Sequence, residues 1–144
     1  MDLVLEGAAP RVWLHGHSVG ENEIRNRQWG AIYRLGEARV YEAEPLIRPY
    51  LGRADPTLRG LALLVLAGEW RRDDLLGRCP DIAVDDAEDV IVRAAAVEAL
   101  VKSGGAHDAN LRPLLEWLAV SDDHPTSVKR AAAEAFRGSG GASP

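Results

Sequence analysis

An alanine-rich helical segment is written twice in this chain, and the repetition limits the possible folds more than any other feature. The stretch VRAAAVEALVKSGG at residues 92–105 returns as VKRAAAEAFRGSGG at residues 128–141. Weaker copies, LRGLALLVL and IRNRQWGAIYRL, precede them. Four cations stand in register at intervals of 34 to 36 residues, namely Arg25, Arg59, Arg93 and Lys129. Each copy is too long an apolar run for a strand, so the sequence predicts a repeated helix.

A second helical segment of different character precedes each of the last three copies. These segments read ARVYEAEPLIRPYLGRAD, EWRRDDLLGRC and HDANLRPLLEWLAVSDD, and glycines separate them from the preceding copy. Acidic or Asp-Pro turns suited to helix capping introduce the copies: DPTLR, DDAEDVIVR and DDHPTSVKR. The repeating unit is therefore a helix, a turn and a helix. We refer to the alanine-rich copy as the second helix of each unit and to the segment before it as the first helix.

Residues 21–138 resemble the HEAT-repeat family. The resemblance lies in the pattern D-P-x-x-V/L-R-x-x-A, seen as DPTLRGLA and, loosened, as DAEDVIVRAAA and DDHPTSVKRAAA. Pro49 and Pro113, within two of the first helices, also resemble the HEAT pattern. The unit around Leu75 lacks this proline and is followed by the stretch PDIAVDDAED, which we expect to be a loop. The resemblance implies an all-α fold, a right-handed α–α superhelix of about three helical pairs with one leading helix.

The polar residues of the helix at residues 89–102 explain why alanine fills the rest of it. These polar residues are Asp89, Arg93, Glu98 and Lys102. They form two narrow groups on opposite sides of the helix, so the two flanks between them should be buried. Ala95 should therefore be closely packed between neighbouring repeats. In the last copy Arg130, Glu134 and Arg137 make one contiguous polar face, which indicates the end of the stack.

The two ends of the chain fall outside the repeat. Residues 1–20 are interpreted as a short extended N-terminal arm or cap, built from two short strands or from an extended segment that covers the first helix. A partner-binding arm is the alternative. Residues 139–144 are expected to form a disordered tail.

Composition limits the partners and the compartment. A net charge of −5 and a pI near 5.3 argue against nucleic acid, since phosphate contacts depend on Lys and Arg. One cysteine, Cys79, leaves no internal disulfide and favours a reducing compartment. No signal peptide or membrane span is evident, so the sequence predicts a cytoplasmic protein without a membrane partner.

The sequence contains few candidate catalytic or metal-binding residues. His15 and His17 could share one face of a strand and hold a metal, but no third ligand is apparent, which favours an exposed pair. The HEAT-like di-iron hydroxylases carry His-Glu pairs, and no histidine here precedes a glutamate. The acidic run around Asp85 lacks the ligand spacing of an EF-hand, so helix capping is favoured over calcium. Cys79 is interpreted as a small buried residue. We therefore predict no catalytic residue, no metal and no cofactor.

The tryptophans and the cations in register each allow a structural and a binding role. Trp70 and Trp117 are placed on first helices, where core packing is favoured over a role as partner anchors. The cations in register resemble the HEAT ladder that ties successive turns together through aspartates such as Asp55 and Asp89. We assign this ladder to structure.

In HEAT-like folds the second helices line the concave surface, here called the inner face. The resemblance therefore implies a partner-binding row at Tyr33, Arg34, Glu98, Lys102 and Glu134. The sequence favours a non-enzymatic interaction or scaffold module for another protein, with an immunity or regulatory protein that binds a basic partner as one version. The alternative is a HEAT-like enzyme related to bilin lyases or DNA glycosylases.

Overall fold

The computed structural model describes residues 18–141, and this part of the chain is all-helical. The α-helices are α1 (Ser18–Glu37), α2 (Glu44–Ile47), α3 (Pro56–Leu63), α4 (Asp73–Leu76), α5 (Cys79–Val84), α6 (Val90–Lys102), α7 (Arg112–Val120) and α8 (Thr126–Gly141). A π-helical extension, Leu64–Glu69, continues α3. Short 3-10 turns lie at Tyr41–Ala43, Arg48–Gly52 and Gly105–His107.

The second helices pack against one another in chain order. Helix α1 contacts α3, α3 contacts α6, and α6 contacts α8. Helix α6 is the central one, and buried residues occur around most of its circumference. They are Val92, Arg93, Ala95, Ala96, Val97, Ala99 and Leu100. Ala95 is only 7% exposed. The predicted burial of both flanks of this helix is therefore confirmed.

The first helices are shorter and more broken than the sequence predicted. The segment that contains Pro45 and Pro49 is one turn of α-helix between two 3-10 turns. Each proline lies in the first turn of a new helical segment, because proline has no amide hydrogen to donate to the preceding turn. The single long helix expected here is replaced by a chain of short turns.

The stretch from Pro80 to Asp89 is not all loop. Helix α5 occupies residues 79–84, so the prediction of a loop was wrong over the first half of this stretch. Pro80 stands in the first turn, where it is tolerated, and Cys79 and Ala83 are fully buried. These two residues lie one helical turn apart and form the buried face of α5, which the many acidic residues of the stretch made hard to predict.

The two tryptophans have opposite environments. Trp70 follows the π-helical extension rather than starting a first helix, and it is buried with its indole donating to the Gly36 carbonyl at 3.1 Å. The packing interpretation is confirmed for Trp70. It was wrong for Trp117, which is 48% exposed. Helix α7 buries Leu115 and Leu118, and Trp117 falls on its other side.

The ladder of cations joins successive units, with one change of partner. Arg25 pairs with Asp55 at 3.7 Å, as predicted. Arg59 pairs with Glu88 rather than with Asp89. Asp89 instead caps α6, where its carboxylate accepts a backbone amide at 2.8 Å. A carboxylate one residue earlier therefore serves the ladder.

The last two cations of the ladder also serve structure. Arg93 is 4% exposed and donates to the Ala83 carbonyl at 3.0 Å and to His124 Nδ1 at 3.1 Å. Lys129 donates to Asp122 at 2.6 Å. Arg93 thus ties α6 to α5 before it and to the turn that precedes α8, and Lys129 ties α8 to that same turn.

The chain ends differ in part from the sequence-based boundaries. Helix α1 begins at Ser18, so residues 18–20 of the predicted arm are helical. The remaining arm residues, with His15 and His17, lie outside the described residues. Helix α8 continues to Gly141, which includes residues 139–141 of the predicted tail.

The close approach of α1 to the π-helical extension generates a prediction. A Cβ atom at Gly36 would lie 2.7 Å from Val65 Cγ2. We expect Gly36→Ala to lower stability by about 1–3 kcal/mol through overpacking, seen as a drop in the thermal unfolding midpoint. Gly52→Ala is the matched control, because nothing lies within 4 Å of that position. Equal midpoints for the two variants would contradict this packing.

Candidate partner-binding groove

A groove of about 270 Å³ runs across the four second helices. Trp29 of α1 lies on its wall, and α3 contributes Thr57, Gly60 and Leu61. The π-helical extension contributes Leu64, α6 contributes Ile91, Ala94, Ala95 and Glu98, and α8 contributes Ser127. The wall is mostly apolar, and Glu98 is its one ionisable side chain among the described residues. A groove of this composition suits an apolar ligand that carries a positive charge.

One register position of the repeat recurs along the groove. Thr57, Ile91 and Ser127 each stand two residues before a ladder cation and all three line the groove. The cations themselves are engaged in the ladder described above. The repeat therefore assigns neighbouring positions to separate tasks, with one tying units together and the other facing the groove.

A stacked aromatic pair borders the groove on α1. The rings of Trp29 and Tyr33 lie 5.1 Å apart between centroids at an interplanar angle of 10°. They are 38% and 44% exposed. The Glu37 carboxylate raises the pKa of the Tyr33 hydroxyl through a hydrogen bond and through its charge. Large aromatic groups held rigidly at a surface are typical anchors for binding partners.

Glu98 carries the charge of the groove. Its side chain is exposed to the groove, yet burial by the apolar wall raises the pKa of its carboxyl. Lys102 opposes this rise and the nearby Glu134 carboxylate adds to it. Among the described residues no cation lies within 4 Å of the Glu98 carboxylate. Glu98 is thus a carboxylate without a direct ion-pair partner among the described residues, and Lys102 acts on it only at longer range.

The five residues predicted for partner binding lie on the expected helices. Tyr33 and Arg34 are on α1, Glu98 and Lys102 on α6, and Glu134 on α8, and all five are exposed. Glu98 lines the groove, whereas the other four are outside its wall.

Internal contacts engage three of those four. Tyr33 stacks on Trp29, and Lys102 pairs with Glu69 at 2.8 Å. Glu134 pairs with Arg137 at 2.5 Å. The structure therefore singles out Glu98 from the predicted row as the charge that faces the groove without an ion-pair partner in the described chain.

Sequence reasoning missed most of the groove wall. Trp29 had a usable signal, since it stands one helical turn before Tyr33, the spacing at which aromatic side chains meet. Ile91 also had one, because it shares its register with Thr57 and Ser127. Leu61 and Leu64 gave none, since apolar residues of a second helix are also expected in the core.

The other candidate chemical groups lie apart from the groove. Cys79 is fully buried and its thiol donates to the Leu75 carbonyl at 3.4 Å. Burial raises the pKa of this thiol to about 11, which confirms the interpretation of a small buried residue. Among the side chains that the structure describes, residues 22–137, no three from His, Cys, Asp or Glu come together as a metal site.

Comparison of the chain with protein-family models, curated proteins and solved structures gives no significant match. In the part of the chain that the structure describes, no helix combines the length and apolar character that a membrane crossing requires.

The raised pKa of Glu98 predicts how its charge affects stability. At neutral pH the ionised carboxylate costs the folded state free energy, so Glu98→Gln should stabilise the fold. Solvent screening keeps the gain small, about 0.5 kcal/mol or 1–2 °C in the unfolding midpoint. The gain should vanish as the pH falls below about 4, where Glu98 is protonated in the folded and unfolded states alike.

Thermal unfolding at pH 7 and pH 3.5 checks this, with Glu116→Gln on α7 as the control. Glu116 is exposed and carries a single weak ion pair with Arg112 at 3.7 Å. A fall in the midpoint of Glu98→Gln at pH 7 would contradict this, because it would show that the ionised carboxylate stabilises the fold.

Proposed function

We propose that this chain is a non-enzymatic interaction module that binds another protein through the inner face of its second helices. The observation that carries the proposal is the open groove on these helices, bordered by the exposed Trp29–Tyr33 pair. Apolar wall groups next to rigid aromatic anchors are the features that concentrate binding energy at protein interfaces.

A HEAT-like solenoid is the architecture we propose for this module. Contacts between successive second helices and the ladder that recurs at 34 to 36 residues support it. In such a stack each unit contacts its neighbours, and the repeated helices together make a continuous surface. The groove spans all four second helices, as a binding surface built by repetition should.

The charge of the chain favours a basic partner. The net charge is −5, and Glu98 faces the groove without a described ion-pair partner. Complementary charge speeds encounter and selects among partners even where single charges add little affinity. An immunity or regulatory protein for a basic partner is one concrete version of the proposal.

An enzymatic function of the DNA-glycosylase type is the second candidate. Trp29 and Glu98 line one groove, and an aromatic ring with a carboxylate is a pairing that can receive a nucleobase. The acidic balance of the chain weighs against this candidate, because it repels the phosphate backbone. Release of a base from alkylated DNA by the purified chain would favour the enzyme over the interaction module.

Charge reversal on the inner face tests the proposed function. A partner is captured from the native cell with the unmodified chain and its binding to variants is then measured at several salt concentrations. The double variant Glu98→Lys with Glu134→Lys should weaken binding by about tenfold or more at low salt, with a smaller difference at high salt.

The matched control reverses Glu42 and Glu116, two exposed carboxylates on first-helix segments. This control changes the net charge equally and should retain binding. Full binding by the Glu98 and Glu134 variant would place the interface elsewhere, with the exposed Trp117 on α7 as the next surface to test.

A further inference from the structure

The ionised Glu98 carboxylate is destabilised by its surroundings, and a cation from outside the chain would relieve this destabilisation. Its exposed side chain shares the groove wall with apolar groups such as Leu64, Ile91 and Ala94, and the neighbouring Glu134 repels its carboxylate. A charge held near apolar surface is stabilised when a counter-charge arrives with hydrogen-bond donors. The groove is therefore better suited to a cationic group than to a purely apolar one.

The cations of the chain nearest to this carboxylate in sequence are engaged elsewhere. Lys102 stands one turn after Glu98 on α6, but its ammonium pairs with Glu69 at 2.8 Å. Arg93 precedes Glu98 on the same helix and is buried against Ala83 and His124. Neither makes a direct ion pair with Glu98, so a partner's cation would add a contact that the described chain does not supply.

The wall of the groove favours a guanidinium over an ammonium. Trp29 presents an aromatic ring in the same groove as the carboxylate. A guanidinium stacks on aromatic rings, forms two parallel hydrogen bonds with a carboxylate and is less strongly hydrated than an ammonium. The alkyl stem of an arginine also packs against apolar side chains.

We propose that the groove receives an arginine side chain of the partner, flanked by apolar residues, and that its guanidinium pairs with Glu98. This inference rests on the proposed function and names the chemistry that the interface recognises. The flanking apolar residues follow from the wall, whose apolar members lie beside the charge on α1, on α3 with its π-helical extension and on α6.

Selection from a display library of random peptides on the full chain tests the proposal. The selected peptides should share an arginine between apolar residues. In synthetic versions, replacement of that arginine by citrulline, its neutral isostere, should lower affinity at least about tenfold, and replacement by lysine should lower it measurably. Glu98→Gln in the chain should cause a similar loss, and Glu116→Gln should cause none.

Combining the two changes shows whether they report one contact. If the arginine pairs with Glu98, citrulline should cost little further affinity in the Glu98→Gln background. Fully additive losses would overturn the pairing. Selected peptides without arginine, equal binding of the lysine peptides, or the absence of any selected peptide would overturn the proposal as well.

Variants that fill the groove separate this inference from the proposed function. Ala94 is a partly exposed wall residue on α6, so its Cβ faces the groove and Ala94→Phe should block it. Ser127→Phe, at an exposed wall position, is the second blocking variant should the first fail to fold.

The two blocking variants give distinct outcomes with the captured partner. Loss of partner binding in a folded blocking variant, with full binding by Glu98→Gln, would leave the inner-face function standing and overturn the arginine site. Full partner binding by folded blocking variants would overturn both the inner-face function and the arginine site.

Discussion

The contact between α3, with its π-helical extension, and α6 is the constraint on which the rest of the structure depends. At Gly60 a Cβ atom would lie 3.2 Å from Ile91 Cγ2 and 3.4 Å from the Ile91 carbonyl oxygen. At Gly68 it would lie 3.2 Å from the Ala99 Cα atom. Two positions without side chains thus let one helix approach the backbone of the next. The approach requires small residues along α6, which is why its sequence is rich in alanine.

The same small residues shape the surface that we propose as the binding site. Ala94 and Ala95 line the groove on α6 and Gly60 lines it on α3, so the centre of the groove has little side-chain bulk. Larger groups such as Trp29, Leu64 and Ile91 stand around this region. Packing of the second helices therefore makes the fold and the groove together, and a substitution that disturbs one is expected to disturb the other.

Features that follow the period of the repeat could be predicted from the sequence. The second helices, the burial of Ala95 and the pairing of Arg25 with Asp55 follow from register and helix geometry. The pairing of Arg59 with Glu88 instead of Asp89 could not be predicted. Either carboxylate can cap a helix or pair with the arginine, and only their positions in the fold decide which does so.

Features that depend on the direction of single side chains also escaped prediction. The exposure of Trp117 depends on which side of α7 faces the core, and helix α5 depends on the burial of Cys79 within an acidic stretch. For the groove, the predicted row contained Glu98 but not Trp29 or Ile91. Exposed apolar residues cannot be told from core residues when both flanks of a helix are buried.

Two tryptophans provide the most direct test of the central claim that the inner face is the binding surface. Trp29 lines the groove, and Trp117 is exposed on α7, away from the groove wall. Their indole N–H signals therefore report on two alternative binding surfaces. Both signals are assigned by Trp29→Phe and Trp117→Phe and followed by NMR while the captured partner is added to the full chain. If the partner binds at the groove, the Trp29 signal should shift or broaden at partner concentrations that leave the Trp117 signal unchanged. A change confined to Trp117, with Trp29 unaffected at saturation, would contradict it.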